Sequence, residues 1–242
     1  MIRVKRQLVL LLRVMWDFVQ GMYAFHPVES CITVFGSARL TAQSQEYAAA
    51  RAVGVALAEN GHTVMTGGGP GLMEAASRGA REAGGKCIAC RIRLSLEQTR
   101  NNYIDRSVSF RYFFVRKVML LRNSYALVVL PGGLGTLDEL FEVLTLIQTR
   151  KLLPLPIIFI GREYWKPLLD VVKQMVTAGT ISAGEMDHVA SLMLITDDAG
   201  EMIAHLKAHV SHVADSRPIP KRTGAPAGRH SKTEKASAAA AD

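Results

Sequence analysis

The sequence predicts an α/β protein in which an open parallel sheet carries helices on both faces within a single domain. Three observations predict this fold. Short runs rich in Val, Ile and Leu alternate with longer helical patterns along most of the chain. Two of these runs, 126–130 and 156–160, are continuously apolar, as strands buried on both faces tend to be. Glycine-bearing turns follow three of the runs, where parallel strands bind ligands.

The first half of the chain is predicted to hold an N-terminal helix followed by strand–helix units. The opening run MIRVKRQLVLLLRVMWDFVQG is interpreted as a helix, because Arg13 interrupts its apolar stretch and no cleavage site of small residues follows. Strands are predicted at 31–36, 62–67 and 86–94, and helices at 43–59 and 71–83. The polar segment 95–109 is predicted to be irregular.

The second half repeats the alternation. Helices are predicted at 110–123, 136–149, 165–177 and 199–213, with strands at 125–130, 155–161 and 192–196. The last segment is rich in Ala, Pro, Lys and Ser and has no apolar periodicity. We therefore divide the chain into an N-terminal helix (1–29), an α/β domain (30–213) and a disordered basic tail (214–242).

Composition narrows the functional class. The chain has 242 residues, 49% of them hydrophobic, and three cysteines, which excludes a disordered or disulfide-stapled secreted protein and favours a cytoplasmic one. Its formal charge of +8 favours anionic partners. The motif from Cys87 to Cys90 lacks enough further ligands for zinc, and residues three apart on a strand point to opposite faces. We therefore predict no metal site.

Three glycine turns suggest a phosphate ligand. They begin at Gly36-Ser37, at Gly67 and at Gly132, and each opens a helix whose unpaired N–H groups and positive dipole end suit a phosphate. Such glycines can also serve only tight turn geometry and close packing. Neither the G-x-G-x-x-G dinucleotide pattern nor a G-x-x-x-x-G-K-[ST] phosphate loop is present. The sequence thus argues against NAD and ATP, and we assign no cofactor.

The motif PGGLGTLDE at 131–139 resembles the LOG (Lonely Guy) family, whose signature is P-G-G-x-G-T-x-x-E. The resemblance extends to GSAR at 36–39, TGGGPGLMEA at 66–75 and FRYFFVRKVML at 110–120, and covers roughly residues 30–205. It implies a Rossmann-like domain that hydrolyses a purine nucleoside 5′-monophosphate, such as AMP or a cytokinin riboside monophosphate, to the free base and ribose 5-phosphate. Many members carry an old lysine decarboxylase label, but the sequence lacks a recognisable context for pyridoxal phosphate.

The resemblance implies catalytic roles for Arg116 and Glu139. A carboxylate beside the anomeric carbon stabilises an oxocarbenium-like sugar or activates water, which suits Glu139. The candidate substrate-binding residues are Gly36, Ser37, Glu97, Lys117, Gly132, Gly133, Leu134, Gly135, Thr136 and Thr145. We expect the 5′-phosphate at the turn 133–136 and the ribose near Glu139.

Each catalytic candidate has a structural alternative. Thr136 and Glu139 spell T-x-x-E, a capping box in which Thr136 would cap the helix. On a helical wheel, Arg116 and Lys117 fall at the edge of and inside an apolar arc formed by Phe110, Phe113, Phe114, Val118 and Leu121. Buried there, they would need an acidic side chain or a bound phosphate; as a surface pair they would extend their charged ends to solvent.

Two other functions remain open on the sequence. The same glycine loops could bind a signalling nucleotide without hydrolysing it, and the basic tail could bind nucleic acid, although it lacks interleaved aromatic residues. The family implies a homodimer that shares residues across its interface. The N-terminal helix offers an apolar surface for a partner through Leu8, Leu11, Leu12, Met15, Trp16 and Val19. We predict no membrane partner, because no apolar run is long enough to span a bilayer.

Overall fold

A seven-stranded parallel sheet organises the chain. The computed structural model describes residues 2–26, 31–93 and 101–214. Within these ranges the strands are β1 (Cys31–Phe35), β2 (Val64–Thr66), β3 (Cys87–Ile92), β4 (Arg106–Phe110), β5 (Ser124–Val129), β6 (Ile157–Ile160) and β7 (Met193–Thr196). The helices are α1 (Ile2–Ala24), α2 (Gln45–Glu59), α3 (Leu72–Glu82), α4 (Phe113–Arg122), α5 (Leu134–Gln148), α6 (Arg162–Thr177), α7 (Ala183–Ala190) and α8 (Ala199–Ala214). The predicted Rossmann-like α/β fold is confirmed.

The strand order β4-β3-β2-β1-β5-β6-β7 places the glycine turns side by side. The chain runs outward from β1 to β4 and then returns to the other side of β1 with β5, so the order reverses between β1 and β5. Ligands of open parallel sheets bind at such a reversal, outside the carboxyl ends of the strands. The three turns follow β1, β2 and β5, which are the three strands at this point.

Hydrophobic clusters cover both faces of the sheet. Because side chains alternate along a strand, Cys31 and Phe35 of β1 join one cluster, while Ile32 and Val34 join the other. Helices α1, α4, α5, α6 and α7 pack on the first face, and α2, α3 and α8 on the second. Cys90 and Cys87 fall in the first and second cluster respectively, which confirms that they point to opposite faces.

Two elements were not predicted. Strand β4 covers the end of the segment predicted to be irregular and Phe110, which was predicted to begin a helix. It is an edge strand in which Val108 and Phe110 are buried while Arg106 and Ser107 are exposed, so its apolar signal is only two residues long. Helix α7 buries Val189 alone and depends instead on a capping box between Ser182 and Glu185. The predicted boundary at 29/30 and the tail from 215 onward lie outside the described residues.

Candidate active site

Hydrogen bonds tie the three glycine turns together at the carboxyl edge of the sheet. The Ser37 N–H donates to the Pro131 carbonyl at 2.9 Å, and the Ser37 carbonyl accepts from the Leu72 N–H at 2.8 Å. A Cβ on Gly36 would lie 3.0 Å from the Leu72 Cβ, so glycine permits this close approach. The candidate ligands Gly36 and Ser37 thus lie at the junction of all three turns, where their backbone also has a packing role.

The N-terminus of α5 presents unpaired backbone N–H groups to solvent. Gly133 is the N-cap residue, and no side chain caps the helix. Thr136 and Leu137 both donate their N–H groups to the Gly133 carbonyl; the N–H groups of Leu134 and Gly135 therefore have no acceptor within the helix. Gly133, Leu134 and Gly135 are exposed, so these donors lie at the positive end of the helix dipole, open to an anion.

The structural alternative for Glu139, a capping box with Thr136, is not formed. Helix α5 begins at Leu134, two residues earlier than predicted, so Thr136 lies inside the first turn and does not cap it. Its side chain packs on Gly132 instead: a Cβ on Gly132 would lie 2.1 Å from Thr136 Oγ1. Glu139 then faces inward, and only 4% of its surface is exposed.

Arg116 and Glu139 converge between the second and third glycine turns. Arg116 Nη1 lies 3.9 Å from Glu139 Oε1, which is too long for a hydrogen bond, and both side chains are largely buried. Arg116 donates from Nε to the Cys90 carbonyl at 3.0 Å. Glu139 Oε2 is buried and has no hydrogen-bond partner among the described residues. A buried polar atom without a partner is costly and calls for a physical reason, such as a ligand.

Burial also changes the acidity of Glu139. Desolvation raises its pKa to about 7, against the opposing effect of the Arg116 and Lys117 charges, and the neighbouring carboxylates of Glu142 and Asp138 add to the rise. Near neutral pH, Glu139 therefore exists in both protonation states. A carboxyl group in this condition can exchange a proton with a bound molecule or with water.

Replacing Glu139 by Gln is expected to stabilise the fold at alkaline pH. A carboxyl group with a pKa near 7 in the fold and near 4.5 in the unfolded chain holds its proton more tightly in the fold, so stability falls as pH rises through this window. Glutamine mimics the protonated form and removes this loss. The melting temperature of Glu139→Gln relative to wild type should therefore rise between about pH 5 and about pH 8. Glu163→Gln, at an exposed glutamate, is the control. A difference in melting temperature between Glu139→Gln and wild type that is equal at both pH values would contradict the raised pKa of Glu139.

Lys117 is already paired with acidic side chains. Its Nζ lies 2.8 Å from Asp138 Oδ2 and 2.8 Å from Glu142 Oε2, both on α5. Burial lowers the pKa of Lys117, but its hydrogen bonds to Asp138 and Glu142 outweigh that effect and the pKa is raised. The expectation that this buried cation needs an anionic partner is confirmed, and the partner is a pair of carboxylates.

Other candidates lie apart from the Arg116–Glu139 pair or outside the described residues. Thr145 is exposed and donates its hydroxyl to the Phe141 carbonyl. Thr145 and Lys117 line a groove of about 680 Å³ on the outer side of α4 and α5. Glu97 lies outside the described residues.

The predicted apolar arc of α4 is only partly right. Phe110 is buried on β4, and Leu121 is buried, but Phe113, Phe114 and Val118 are each more than 40% exposed. The face that packs on the sheet is formed by Val115, Met119, Leu120 and Leu121. Helix α4 starts at Phe113, three residues later than predicted. Phe110 therefore does not belong to the helix, and the helical wheel drawn from Phe110 does not describe the faces of α4.

Two supporting residues were missed. The Tyr164 hydroxyl donates to the Gly132 carbonyl at 2.8 Å and so braces the third glycine turn. The buried Asn101 side chain donates to the Gly69 carbonyl at 3.4 Å and to Ser77 Oγ at 3.3 Å, which holds the second turn against α3. Both lie far from the turns in sequence, and no local pattern marks them.

Comparison with known sequences identifies relatives of this chain. The model of the family described as "possible lysine decarboxylase" matches residues 73–206. A cytokinin riboside 5′-monophosphate phosphoribohydrolase of Mycobacterium marinum is 36% identical over 98 residues, 40% of this chain and 52% of that protein. The enzyme of the same name from Mycobacterium tuberculosis is 35% identical over 95 residues, 38% of this chain and 51% of that protein. The matches thus span about half the length of these relatives.

Solved structures share the fold. The molybdenum cofactor carrier protein of Chlamydomonas reinhardtii superimposes with a TM-score of 0.56, covering 76% of this chain and 99% of that protein at 23% identity. At this identity the likeness establishes the architecture, and function has to be argued from the site.

Proposed function

Because the chain belongs to the LOG family, whose model is described as that of a possible lysine decarboxylase, we propose that it hydrolyses the N-glycosidic bond of a purine nucleoside 5′-monophosphate. The products are the free base and ribose 5-phosphate. AMP and cytokinin riboside monophosphates are the substrates to which this proposal extends, and a cytoplasmic homodimer is the form in which we expect the protein to act.

The observation that carries the proposal is the Arg116–Glu139 pair. A buried carboxylate with an unpartnered oxygen lies 3.9 Å from a buried guanidinium, beside a helix N-terminus suited to phosphate. Hydrolysis of an N-glycosidic bond develops positive charge on the sugar, and a carboxylate stabilises that charge. One end of the site therefore suits the phosphate and the other suits the anomeric carbon.

In the proposed reaction, the N–H groups at the start of α5 bind the 5′-phosphate and fix the sugar. Glu139 in its carboxylate form removes a proton from water as the water oxygen bonds to the anomeric carbon. The bond from that carbon to the base nitrogen breaks and its electron pair stays with the base nitrogen. That nitrogen takes up the proton that Glu139 removed from water, which returns Glu139 to its carboxylate form. Arg116 orients Glu139 and keeps part of it ionised near neutral pH.

The lysine decarboxylase description does not fit this site. That chemistry uses pyridoxal phosphate on a lysine whose amine must be neutral to form a Schiff base. Lys117, which follows Arg116 in the chain, lies between two carboxylates that favour its charged form.

A comparison of substrates tests the proposal. We expect free base from purine nucleoside 5′-monophosphates, resolved by chromatography, with kcat/KM at least about 100-fold above that for the same nucleosides without phosphate, because the phosphate positions the sugar. Release from no nucleotide, with tight nucleotide binding by calorimetry, would instead favour a non-catalytic sensor. Equal rates with and without the phosphate would contradict the phosphate site at α5.

Gly67→Ala is expected to reduce activity without unfolding the protein. A Cβ at this position would lie 2.8 Å from Arg116 Nη2 and 2.9 Å from Met73 Sδ, and both atoms are ends of flexible side chains that can move aside. The displaced guanidinium would lose its alignment with Glu139, which should cost about tenfold or more in kcat/KM. Gly184→Ala, where an added Cβ meets nothing within 4 Å, is the control. An unchanged kcat/KM in Gly67→Ala would show that the position of Arg116 is unimportant.

A further inference from the structure

Helix α1 carries along most of its length an apolar surface that the rest of the described chain leaves uncovered. The stripe consists of Leu8, Leu11, Leu12, Met15, Trp16 and Val19, each between 51% and 55% exposed. Met22 and Tyr23 continue it toward the end of the helix. Spacings of three and four residues place these side chains on one side of a helix. Apolar surface of this extent marks a site of interaction.

The orientation of α1 is fixed, so the stripe cannot turn inward. Asp17, on the opposite side of the helix, is fully buried and accepts from the Arg111 backbone N–H at 2.7 Å and from Arg111 Nη1 at 3.0 Å. Gly21 lies so close to α4 that an added Cβ would be 2.8 Å from Met119 Sδ. These contacts hold the helix by its carboxyl-terminal half and leave the stripe facing solvent.

Among the described side chains of α1, the exposed charged ones are all positive. Lys5, Arg6 and Arg13 line a groove of about 460 Å³ together with Val9, Leu10 and Tyr112. None of these three cations forms an ion pair with another described residue. The single acidic residue of α1, Asp17, is already paired with Arg111. The surface therefore combines exposed apolar side chains with uncompensated positive charge.

We propose that α1 docks flat on an anionic lipid bilayer, with the apolar stripe in the interfacial region and the Lys5–Arg6–Arg13 groove on lipid phosphates. A second copy of this chain would cover the apolar stripe but would bring the same cations and no compensating charge from α1. An anionic bilayer satisfies both features at once, as amphipathic interfacial helices do. The expectation of no membrane partner rests on the lack of a spanning run, and the described helices agree with it; the proposal concerns docking on the surface of a bilayer.

The proposed docking places α1 on the bilayer surface and does not require a helix to cross the bilayer. None of the described helices is long and apolar enough to cross a bilayer. The stripe from Leu8 to Tyr23 extends about 22 Å along the helix axis. The protein occupies the opposite side over the carboxyl-terminal half of α1, where Asp17 and Gly21 are buried, whereas Val9 and Leu10 nearer its start are exposed. The helix can therefore lie in the interface while the sheet remains in water.

Trp16 supplies the probe. The chain has two tryptophans; Trp16 is 55% exposed and Trp165 is 2% exposed, so a change of emission on adding vesicles reports Trp16. With the full chain, phosphatidylcholine vesicles containing phosphatidylglycerol should co-float the protein and shift its emission to the blue. Vesicles of phosphatidylcholine alone should bind it more weakly, since they lack the anionic partner of the groove.

Serine variants separate insertion of the stripe from adsorption by basic residues elsewhere, including those of the tail. Leu8→Ser with Leu12→Ser leaves the charge unchanged and is expected to lower the partition coefficient by about tenfold per leucine. Leu153→Ser is the matched control, since Leu153 is 54% exposed and far from α1 in sequence. Circular dichroism melting of both variants checks that they fold.

The proposal is overturned if the double serine variant partitions like wild type, because binding would then be purely electrostatic. It is also overturned if vesicles leave the emission unchanged while raising the protein concentration shifts it, because a second copy would then cover Trp16. Weaker binding of the double variant with wild-type binding of Leu153→Ser supports it. Neither result depends on the nucleotide hydrolase proposal.

Discussion

Glu139→Gln is expected to lower kcat for base release by about 10²- to 10⁴-fold, the range in which a positioned acid or base contributes. Glutamine keeps the shape of the side chain, but it cannot take a proton from water or carry the negative charge that an oxocarbenium-like sugar needs. Nucleotide affinity should stay within a few-fold of wild type, because the phosphate binds at the start of α5. Activity assays and calorimetry on the same preparation measure both quantities.

The pH dependence gives a second test of the same residue. Since the reactive form is the carboxylate and its pKa is about 7, wild-type kcat/KM should rise as pH increases through 7 and level off above it. Any residual activity of Glu139→Gln should lack this rise. Glu163→Gln, at an exposed position, should change neither kcat nor the dependence of kcat/KM on pH. Full activity in Glu139→Gln, or affinity lost in parallel with kcat, would contradict the assigned role.

Arg116→Met is expected to reduce kcat/KM by about 100-fold near neutral pH. Its guanidinium lowers the pKa of Glu139, so removing it should raise that pKa further and leave less carboxylate at pH 7. The rising limb of the pH profile should therefore move to higher pH, and part of the lost activity should return in alkaline buffer. The profile of kcat/KM against pH measures the shift.

Two further substitutions make the Arg116 result specific. Arg116→Lys keeps a positive charge but lacks the planar group that reaches both the Cys90 carbonyl and Glu139. In Arg116→Lys, the pH at which kcat/KM rises should stay closer to that of wild type than it does in Arg116→Met, although kcat/KM itself should still fall. Arg122→Met changes an exposed arginine of the same helix and should have no effect. A limb that stays in place in Arg116→Met would mean that Arg116 does not control Glu139.

The central strands could be predicted because a strand that is buried on both faces has apolar residues at successive positions. A short, continuously apolar run such as 126–130, closed by a glycine turn, is typical of a strand at the centre of a parallel sheet. Strand β4 left a weaker record, since an edge strand with one solvent-facing side alternates for only two apolar residues. Its existence depends on pairing with β3, a contact that no local pattern encodes.

The site also combines residues that sequence motifs predict with contacts that depend on tertiary packing. The family motifs located Arg116 and Glu139, and the structure brings them together although 22 residues lie between them. Helix α5 begins at Leu134, two residues before its predicted start, because Gly133 serves as the N-cap residue and no capping side chain marks that position in the sequence. Lys117 was expected to need an anion, but which anion depended on how α4 packs against α5. The bracing by Tyr164 and Asn101 arises only from tertiary packing.

Glycosidic bond hydrolysis is tested most directly by incubating the wild-type protein with a purine nucleoside 5′-monophosphate in water enriched in heavy oxygen and analysing both products. We predict free base and ribose 5-phosphate in equal amounts, with the heavy oxygen on the anomeric carbon and none in the phosphate. Release of inorganic phosphate with the base still attached to the sugar, or no turnover of any bound nucleotide, would contradict the assignment of Glu139 and Arg116 to this reaction.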